Sequence, residues 1–308
     1  MSAPTVAVVG AGAVGCYFGG MLARSGVPVT LIGRDPHMQT IAREGLQLNG
    51  VRVRERIPIA ATTSLADGLG GAGIALLCVK TVHTETAARE IEPLLDPQTA
   101  VLSFQNGVDN VDRIFAATGR RALPVVVYVA AEMTAPGEVT HNARGDLVIG
   151  HRRDWPASPA LQPLAALFER AEIPCRVSPA IETELWTKMA LNCAYNAVSA
   201  LTRATYGRIA AFMPIRAVLG RALAEIVAVA GAQGVTLSHA ALMEAGIRLG
   251  EAAVRATSST EQDIARGRPT EIDSLNGYIA RRGAALGIPT PVNETLWALV
   301  KLREDLQR

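Results

Sequence analysis

The sequence has few aromatic residues, little charge of either sign and no closely paired cysteines. Aromatic residues make up 4% of the 308 positions and charged residues 19%, whereas 49% are hydrophobic. This balance excludes an extended disordered chain, which could not bury enough apolar surface to offset its conformational entropy. Thirty basic residues stand against 28 acidic ones, and no basic run stands out. We therefore expect neither nucleic acid nor an anionic membrane as a partner.

Cysteines and histidines are too scattered for a disulfide framework or a metal site. Cys16, Cys78, Cys175 and Cys193 form no Cys-x-x-Cys pair, and the five histidines are dispersed along the chain. We expect no metal, and the reducing cytoplasm is the natural compartment for such a protein.

Residues 1–23 carry no charged side chain, which imitates a membrane span or a signal peptide. The segment lacks a basic start, however, and it contains five glycines. A strand, a glycine turn and a helix explain it better, so we predict no membrane segment here.

The first 150 residues alternate apolar runs with helical stretches. Four mostly apolar runs are typical of parallel strands that are buried on both faces: Thr5–Val9, Val29–Ile32, Ile74–Val79 and Ala100–Phe104. A helical pattern over Val14–Ser25, stopped by Gly26, separates the first two runs. The alternation predicts an α/β doubly wound, Rossmann-type N-terminal domain. Further runs at Val125–Ala131, Val139–His141 and Leu147–Ile149, separated by Pro136-Gly137 and Gly145-Asp146, predict an antiparallel edge on its sheet.

From about residue 180, helical patterns replace strand patterns. Ser178-Pro179 is typical of a helix N-cap followed by a proline at the first helical position. Five helices are predicted after it: Ile181–Leu201, Ile215–Gln233, Ser238–Ala256, Glu271–Leu286 and Asn293–Leu306. We predict a dinucleotide-binding domain at 1–179 and an all-α substrate and catalytic domain at 180–308.

A glycine motif joins the first predicted strand to the first predicted helix. Gly10–Gly15 has the form Gly-x-Gly-x-x-Gly, whose first glycine permits a tight turn, whose second lets the backbone approach a pyrophosphate and whose third lets helix and strand pack closely. The helix N-terminus adds amide donors and a positive dipole end. A glycine-rich turn without a ligand is the alternative. The residues expected to bind the cofactor here are Gly10, Gly12, Ala13, Val14 and Gly15.

The end of the second strand indicates which dinucleotide is preferred. An acid there would bind the ribose 2′-hydroxyl of NAD, whereas an arginine would accommodate the 2′-phosphate of NADP. Arg34 stands at the selecting position and predicts NADP(H). A shift of one residue would place Asp35 there and favour NAD, and a solvated Arg34–Asp35 pair is the plainer alternative.

Polar residues follow two of the apolar strands. Lys80 comes after Ile74–Val79, and Asn106 comes after Ala100–Phe104. Open α/β sheets bind ligands beyond the carboxyl ends of their strands. Lys80 could therefore hold a ribose or a substrate anion, and Asn106 could position the nicotinamide side of the pocket. Both could equally be ordinary loop residues, since Asn-Gly is a common turn.

A polar stripe runs along the first helix of the second half. Glu184, Lys188, Asn192 and Asn196 recur every fourth residue on a helix that is otherwise apolar nearly all round. A buried ammonium without a partner is costly, so the stripe is expected to face a wet cleft. A surface helix with a Glu184–Lys188 pair is the alternative. A second polar cluster spans Thr257-Ser258-Ser259 and Arg268–Tyr278, within which Glu271 alone would be ordinary helix-dipole compensation.

With these motifs in order, the chain resembles the ketopantoate reductases over nearly its full length. The matching segments are Gly10–Gly15, Cys78–Thr81, Gln105-Asn106-Gly107, Leu185–Asn196 and Ser258–Gly277. The resemblance implies that Lys188 is the catalytic acid, which protonates the substrate carbonyl oxygen as NADPH delivers hydride to carbon. It also implies that Glu271 hydrogen-bonds the Lys188 region and substrate hydroxyls. The other residues that it places at the substrate or at the cofactor–substrate boundary are Asn192, Asn196, Ser259, Asn106 and Lys80.

One departure bears on the substrate. Three residues before Ser259, where ketopantoate reductases can carry a substrate-binding asparagine, this chain has Ala256. The expected function is NADPH-dependent reduction of 2-dehydropantoate to D-pantoate, a step toward coenzyme A. The alternatives are a same-fold reductase of another 2-oxo acid and a non-catalytic NADP-binding sensor. A homodimer is left open.

Overall fold

The computed structural model describes residues 4–50 and 53–307. Residues 1–3 and 308, at the ends of the two predicted domains, and residues 51–52 lie outside this description. The chain separates into two compact units, the first ending at Ile181 and the second beginning at Glu182.

Ten strands form one mixed sheet in the described part of the first unit. They are β1 (Val6–Val9), β2 (Val29–Ile32), β3 (Leu46–Gly50), β4 (Arg54–Ile57), β5 (Ala60–Thr62), β6 (Ile74–Leu77), β7 (Ala100–Ser103), β8 (Leu123–Ala135), β9 (Glu138–Ile149) and β10 (Cys175–Val177). Their order is β4-β3-β9-β8-β7-β6-β1-β2-β5, and β10 pairs with β9. The strands from β5 to β8 in this order are parallel. Their carboxyl ends therefore share one rim of the sheet.

Helices cover both faces of this sheet. They are α1 (Ala13–Arg24), α2 (His37–Glu44), α3 (Leu65–Leu69), α4 (Thr84–Ile91), α5 (Asn110–Thr118) and α6 (Leu161–Arg170). Alternate residues of β1 point to opposite faces, so Val6 and Val8 join one apolar core with α1, α2 and α6. Ala7 and Val9 join the other core with α3, α4 and α5. The predicted doubly wound α/β fold is confirmed.

The antiparallel part differs from the prediction. Strand β9 is continuous from Glu138 to Ile149, so Gly145-Asp146 is not a turn between two strands. Gly145 is instead the extra residue of a β-bulge, because Tyr128 pairs with Asp146 while Val129 pairs with Arg144. The hairpin of β8 and β9 is also not the edge, since β3 and β4 extend the sheet beyond it.

The described part of the second unit is entirely helical. Its helices are α7 (Ile181–Thr202), α8 (Tyr206–Ala211), α9 (Met213–Ala232), α10 (His239–Ala252), α11 (Ser259–Ala265), α12 (Asn276–Leu286) and α13 (Pro291–Asp305). No helix within residues 4–50 and 53–307 is both long and apolar enough to cross a membrane.

Two predictions at helix starts need correction. The predicted helix from Glu271 begins instead with a 3-10 turn over Ile272–Ser274, and Leu275 interrupts it before α12 because its backbone is not helical. Ser178 does not cap α7 as predicted. Its hydroxyl accepts a hydrogen bond from the Ala180 amide within a turn before the helix, at 3.1 Å.

Candidate active site

The three motif glycines between β1 and α1 meet different surroundings. Gly10 has a positive φ of 101°, and a Cβ atom there would lie 2.7 Å from the Val79 amide nitrogen. A Cβ atom on Gly15 would collide with the Gly10 carbonyl oxygen. A Cβ atom on Gly12, by contrast, would meet no atom within 4 Å. The fold itself therefore explains Gly10 and Gly15, whereas Gly12 leaves open space at the start of α1.

The N-terminus of α1 is not neutralised by its own residues. Its N-cap is Gly12, which provides no side-chain hydrogen bond, and the first turn contains no acidic residue. The amides of Ala13 and Val14 lie in this first turn. Helix N-termini with free amides and an uncompensated dipole favour anions such as a pyrophosphate.

Arg34 and Asp35, which follow β2, differ in their partners. Both carboxylate oxygens of Asp35 accept hydrogen bonds from Gln39. The backbone amide donates to one at 3.3 Å, and the side-chain Nε2 donates to the other at 2.8 Å. The exposed Arg34 guanidinium forms no hydrogen bond or ion pair with any residue in the described part of the chain. Asp35 thus supports the start of α2, and Arg34 has its donors directed to solvent.

The two loops that carry Lys80 and Asn106 are joined by hydrogen bonds. The Asn106 carbonyl oxygen accepts from Thr81 Oγ1 at 2.8 Å and from Asn110 Nδ2 at 2.7 Å. The side chains of Thr81 and Asn110 are buried. These contacts fix the Asn106 backbone beside the loop of Lys80, at the rim that also holds the glycine motif.

The polar stripe on α7 in the second unit is partly shielded from solvent. Glu184, Lys188 and Asn192 are half-buried, and Asn196 is only 3% exposed. Apolar neighbours such as Trp186 are buried as well. The alternative of a plain surface helix therefore does not fit α7.

The far end of the stripe contacts the loop of Ser258 and Ser259. Ser258 Oγ donates to the Asn196 carbonyl at 3.2 Å, and the Ser258 amide donates to Ser199 Oγ at 3.1 Å. Ser258 also caps α11 through the Glu261 amide. Ser259, the next residue, is exposed. The Asn196 backbone and the residue before Ser259 are thus brought together.

The segment with Glu271 is anchored on α13. The Thr270 amide donates to Glu304 at 2.7 Å, and Asp273 accepts from Trp297 at 2.7 Å and from Lys301 at 2.9 Å. Burial alone would raise the pKa of Asp273, but the hydrogen bonds from Lys301 and Trp297 outweigh it, so the net pKa is lowered. Glu271 itself is half-buried beside these anchors.

The sequence analysis did not find two residues that support the stripe helix α7 through hydrogen bonds. The buried Asn276 donates to the Cys193 carbonyl of α7 and to Asn293 of α13, each at 3.0 Å, and so fastens the start of α12 to the stripe helix. Tyr206 donates to the Asn196 side chain at 3.2 Å. Asn276 lies inside a motif that was singled out, whereas Tyr206 lies in a short helix with no sequence signal. Among the described residues, no group of three or more His, Cys, Asp or Glu could hold a metal ion.

Comparisons with known proteins cover nearly the whole chain. Residues 6–154 match the family model "Ketopantoate reductase PanE/ApbA", and residues 180–304 match its C-terminal counterpart. The 2-dehydropantoate 2-reductase of Caulobacter vibrioides is 33% identical over 96% of this chain and 98% of its own. The crystal structure of a PanE/ApbA family ketopantoate reductase from Ralstonia eutropha is 45% identical, with a TM-score of 0.92 over 98% of this chain and 99% of its own. A complex of D-mandelate dehydrogenase with NADH is 26% identical, with a TM-score of 0.89 over 99% of this chain and 100% of its own.

Proposed function

This chain belongs to the ketopantoate reductase family, and on that premise we propose that it reduces 2-dehydropantoate to D-pantoate with NADPH. The family consists of pyridine-nucleotide-dependent oxidoreductases, so the chain is an oxidoreductase. The observation that carries the proposal is the shielded stripe on α7, which places one ammonium and two amides along a helix that is otherwise packed in a core.

The residues of the first unit fit a dinucleotide with a 2′-phosphate. The open space at Gly12 and the uncapped start of α1 suit a pyrophosphate close to the backbone. Arg34 would hold the 2′-phosphate, because its guanidinium has no other partner among the described residues. Asp35 is engaged by Gln39 and is a poorer candidate for binding a ribose 2′-hydroxyl. Lys80 and Asn106 would line the boundary between cofactor and substrate.

Lys188 would act as the general acid. When bound, NADPH supplies the hydride. The addition of hydride to the carbonyl carbon builds negative charge on the oxygen, and an ammonium within hydrogen-bond distance both stabilises and protonates that oxygen. Partial burial of Lys188 strengthens this effect, since the surroundings screen charge less than water does.

The remaining polar residues of the second unit would bind the substrate. Asn192 and Asn196 offer amides to its hydroxyl groups, and the exposed Ser259 would meet its carboxylate. Glu271, held on α13 through its neighbours, would hydrogen-bond the Lys188 region and a substrate hydroxyl. The substrate is thereby oriented with its carbonyl at the amine.

A second candidate is a same-fold reductase of another 2-oxo acid. Ala256 favours it, because a methyl group stands where the family can carry a substrate-binding asparagine. The fold is also shared with D-mandelate dehydrogenase, whose substrate side chain is aromatic. A non-catalytic NADP-binding sensor would have no use for a shielded lysine and two amides on α7.

The test is NADPH oxidation measured with 2-dehydropantoate and with a panel of branched and aromatic 2-oxo acids. We expect the highest kcat/KM for 2-dehydropantoate. A higher value for an aromatic acid would favour the second candidate, and NADPH binding without turnover of any acid would favour the sensor.

A further inference from the structure

Asn196, at the end of the stripe, makes a hydrogen bond within the protein through its side-chain oxygen. Its Oδ1 accepts a hydrogen bond from Tyr206 Oη at 3.2 Å, and the residue is 3% exposed. Its Nδ2 donates to none of the residues that the structure describes, yet it is not among the polar atoms sealed in the interior without a partner. The amide oxygen is therefore held by Tyr206, and the amide NH₂ group is available as a donor.

Tyr206 is suited to fix this orientation. Its hydroxyl stays protonated, because burial, and then the neighbouring Tyr195, raise the pKa of Tyr206 to about 12. A protonated phenol can donate to an amide oxygen, and its ring packs edge-on against Tyr195 with centroids 5.5 Å apart. The Tyr206 amide also donates to the Ala256 carbonyl at 2.9 Å, which ties the same residue to the loop that leads to Ser259.

We propose that Tyr206 is a positioning residue that turns the Asn196 amide so that its NH₂ group faces the terminal hydroxyl oxygen of the 2-oxo acid. This inference rests on the proposed function and deepens it. Asn196 lies two helical turns, about 12 Å of helix axis, beyond Lys188. Lys188 and Asn196 would therefore contact different parts of the acid, Lys188 its carbonyl and Asn196 the end away from the carbonyl. Because Tyr206 holds the Oδ1 side of the amide, the NH₂ group is the part left for the substrate, and it selects a terminal group that accepts a hydrogen bond, such as a hydroxyl oxygen.

The experiment uses two substrates that differ by one hydroxyl group. 2-Dehydropantoate carries the terminal hydroxyl, and 3,3-dimethyl-2-oxobutanoate has the same skeleton without it. In Tyr206→Phe we expect kcat/KM for 2-dehydropantoate to fall about tenfold, mainly through KM, because the amide loses the partner that orients it. For the deoxy acid, kcat/KM should stay within about twofold of wild type, since no hydroxyl is there to be bound.

Tyr195→Phe is the matched control. It removes a hydroxyl from the adjacent ring, but that hydroxyl donates to the Gly246 carbonyl at 2.6 Å and not to the stripe. The ratio of kcat/KM for the two acids should therefore stay at the wild-type value in this variant. If kcat/KM falls equally for both acids in Tyr206→Phe, or falls for neither, the positioning role of Tyr206 is wrong. The proposed function would stand in that case. If the wild type reduces neither acid, the proposed function fails and this inference fails with it.

Discussion

The candidate sites of the two units are built from different parts of the chain, mainly backbone in the first unit and side chains in the second. In the first unit, the glycine motif offers backbone amides and open space beside Gly12, and the exposed Arg34 is the charged group proposed to select the cofactor. In the second unit, the stripe offers side chains that are half-buried or buried and are supported by helices distant in sequence. A backbone site is local and continuous in sequence, whereas a side-chain site depends on tertiary packing.

The largest effect should come from the side-chain site. Lys188→Ala should lower kcat by about 10²- to 10⁴-fold, because the proton donor is lost, while the dissociation constant for NADPH stays near wild type. Steady-state kinetics and fluorescence titration of NADPH measure the two quantities. Arg248→Ala is the control for loss of a cation in the same unit, since the exposed Arg248 pairs with Glu244 on α10, and it should retain turnover. Turnover near wild type in Lys188→Ala would remove the proposed acid.

Two glycine variants sharpen the contrast within the backbone site. Gly12→Ala should fold with a wild-type melting temperature yet bind NADPH about 5- to 100-fold more weakly, because the added methyl group meets only the ligand. Gly15→Ala should lower the free energy of unfolding by about 1–3 kcal/mol or more, because its methyl group collides with a backbone oxygen. Thermal unfolding and NADPH titration of both variants are required. Equal loss of stability in the two would contradict the distinction.

Arg34 tests selectivity between cofactors. Arg34→Ala should raise the KM for NADPH by about tenfold, because a charge-assisted contact with the 2′-phosphate is lost, and should leave the KM for NADH nearly unchanged. Arg43→Ala is the matched control. It removes another exposed guanidinium from the segment that follows β2, and that guanidinium pairs with Glu44. A parallel rise in both KM values would reject the assignment of Arg34.

The smallest effect is expected at the anchors of the Glu271 segment. Burial raises the pKa of Glu304, but hydrogen bonds from Lys301 and Thr270 outweigh it, so the pKa is lowered, as it is for Asp273. Lowered carboxyl pKa values add stability above the ordinary range near pH 4, and this contribution is lost as the pH falls through the folded-state values. Lys301→Met should therefore cost about 0.5–1 kcal/mol at pH 7, a value reduced by solvent screening, and progressively less below pH 4. Urea unfolding at several pH values measures this, and a cost independent of pH would contradict it.

The fold was predictable where burial is continuous in sequence. Strands such as Val6–Val9 are apolar at every position because both faces are covered. Strand β4 (Arg54–Ile57) could not be found this way, since it is mostly exposed and charged. The bulge at Gly145 imitates a turn because both use a glycine with positive φ.

The candidate site follows the same division. The glycine motif and the stripe are visible as fixed spacings, because each lies in one continuous segment of the chain. Tyr206 and Asn276 reach the stripe from other helices, and hydrogen bonds across 10 and 83 residues leave no periodic pattern. The partners that orient a site therefore require the tertiary structure.

Chemical rescue tests the role of Lys188 most directly. In Lys188→Ala, ethylammonium should enter the space left by the side chain and restore kcat in a saturable manner, by about tenfold or more, because it returns a proton donor beside the carbonyl oxygen. Tetramethylammonium, which carries the same charge but no N–H group, should restore none. Equal restoration by both cations, or restoration by neither, would contradict the assignment of Lys188 as the acid.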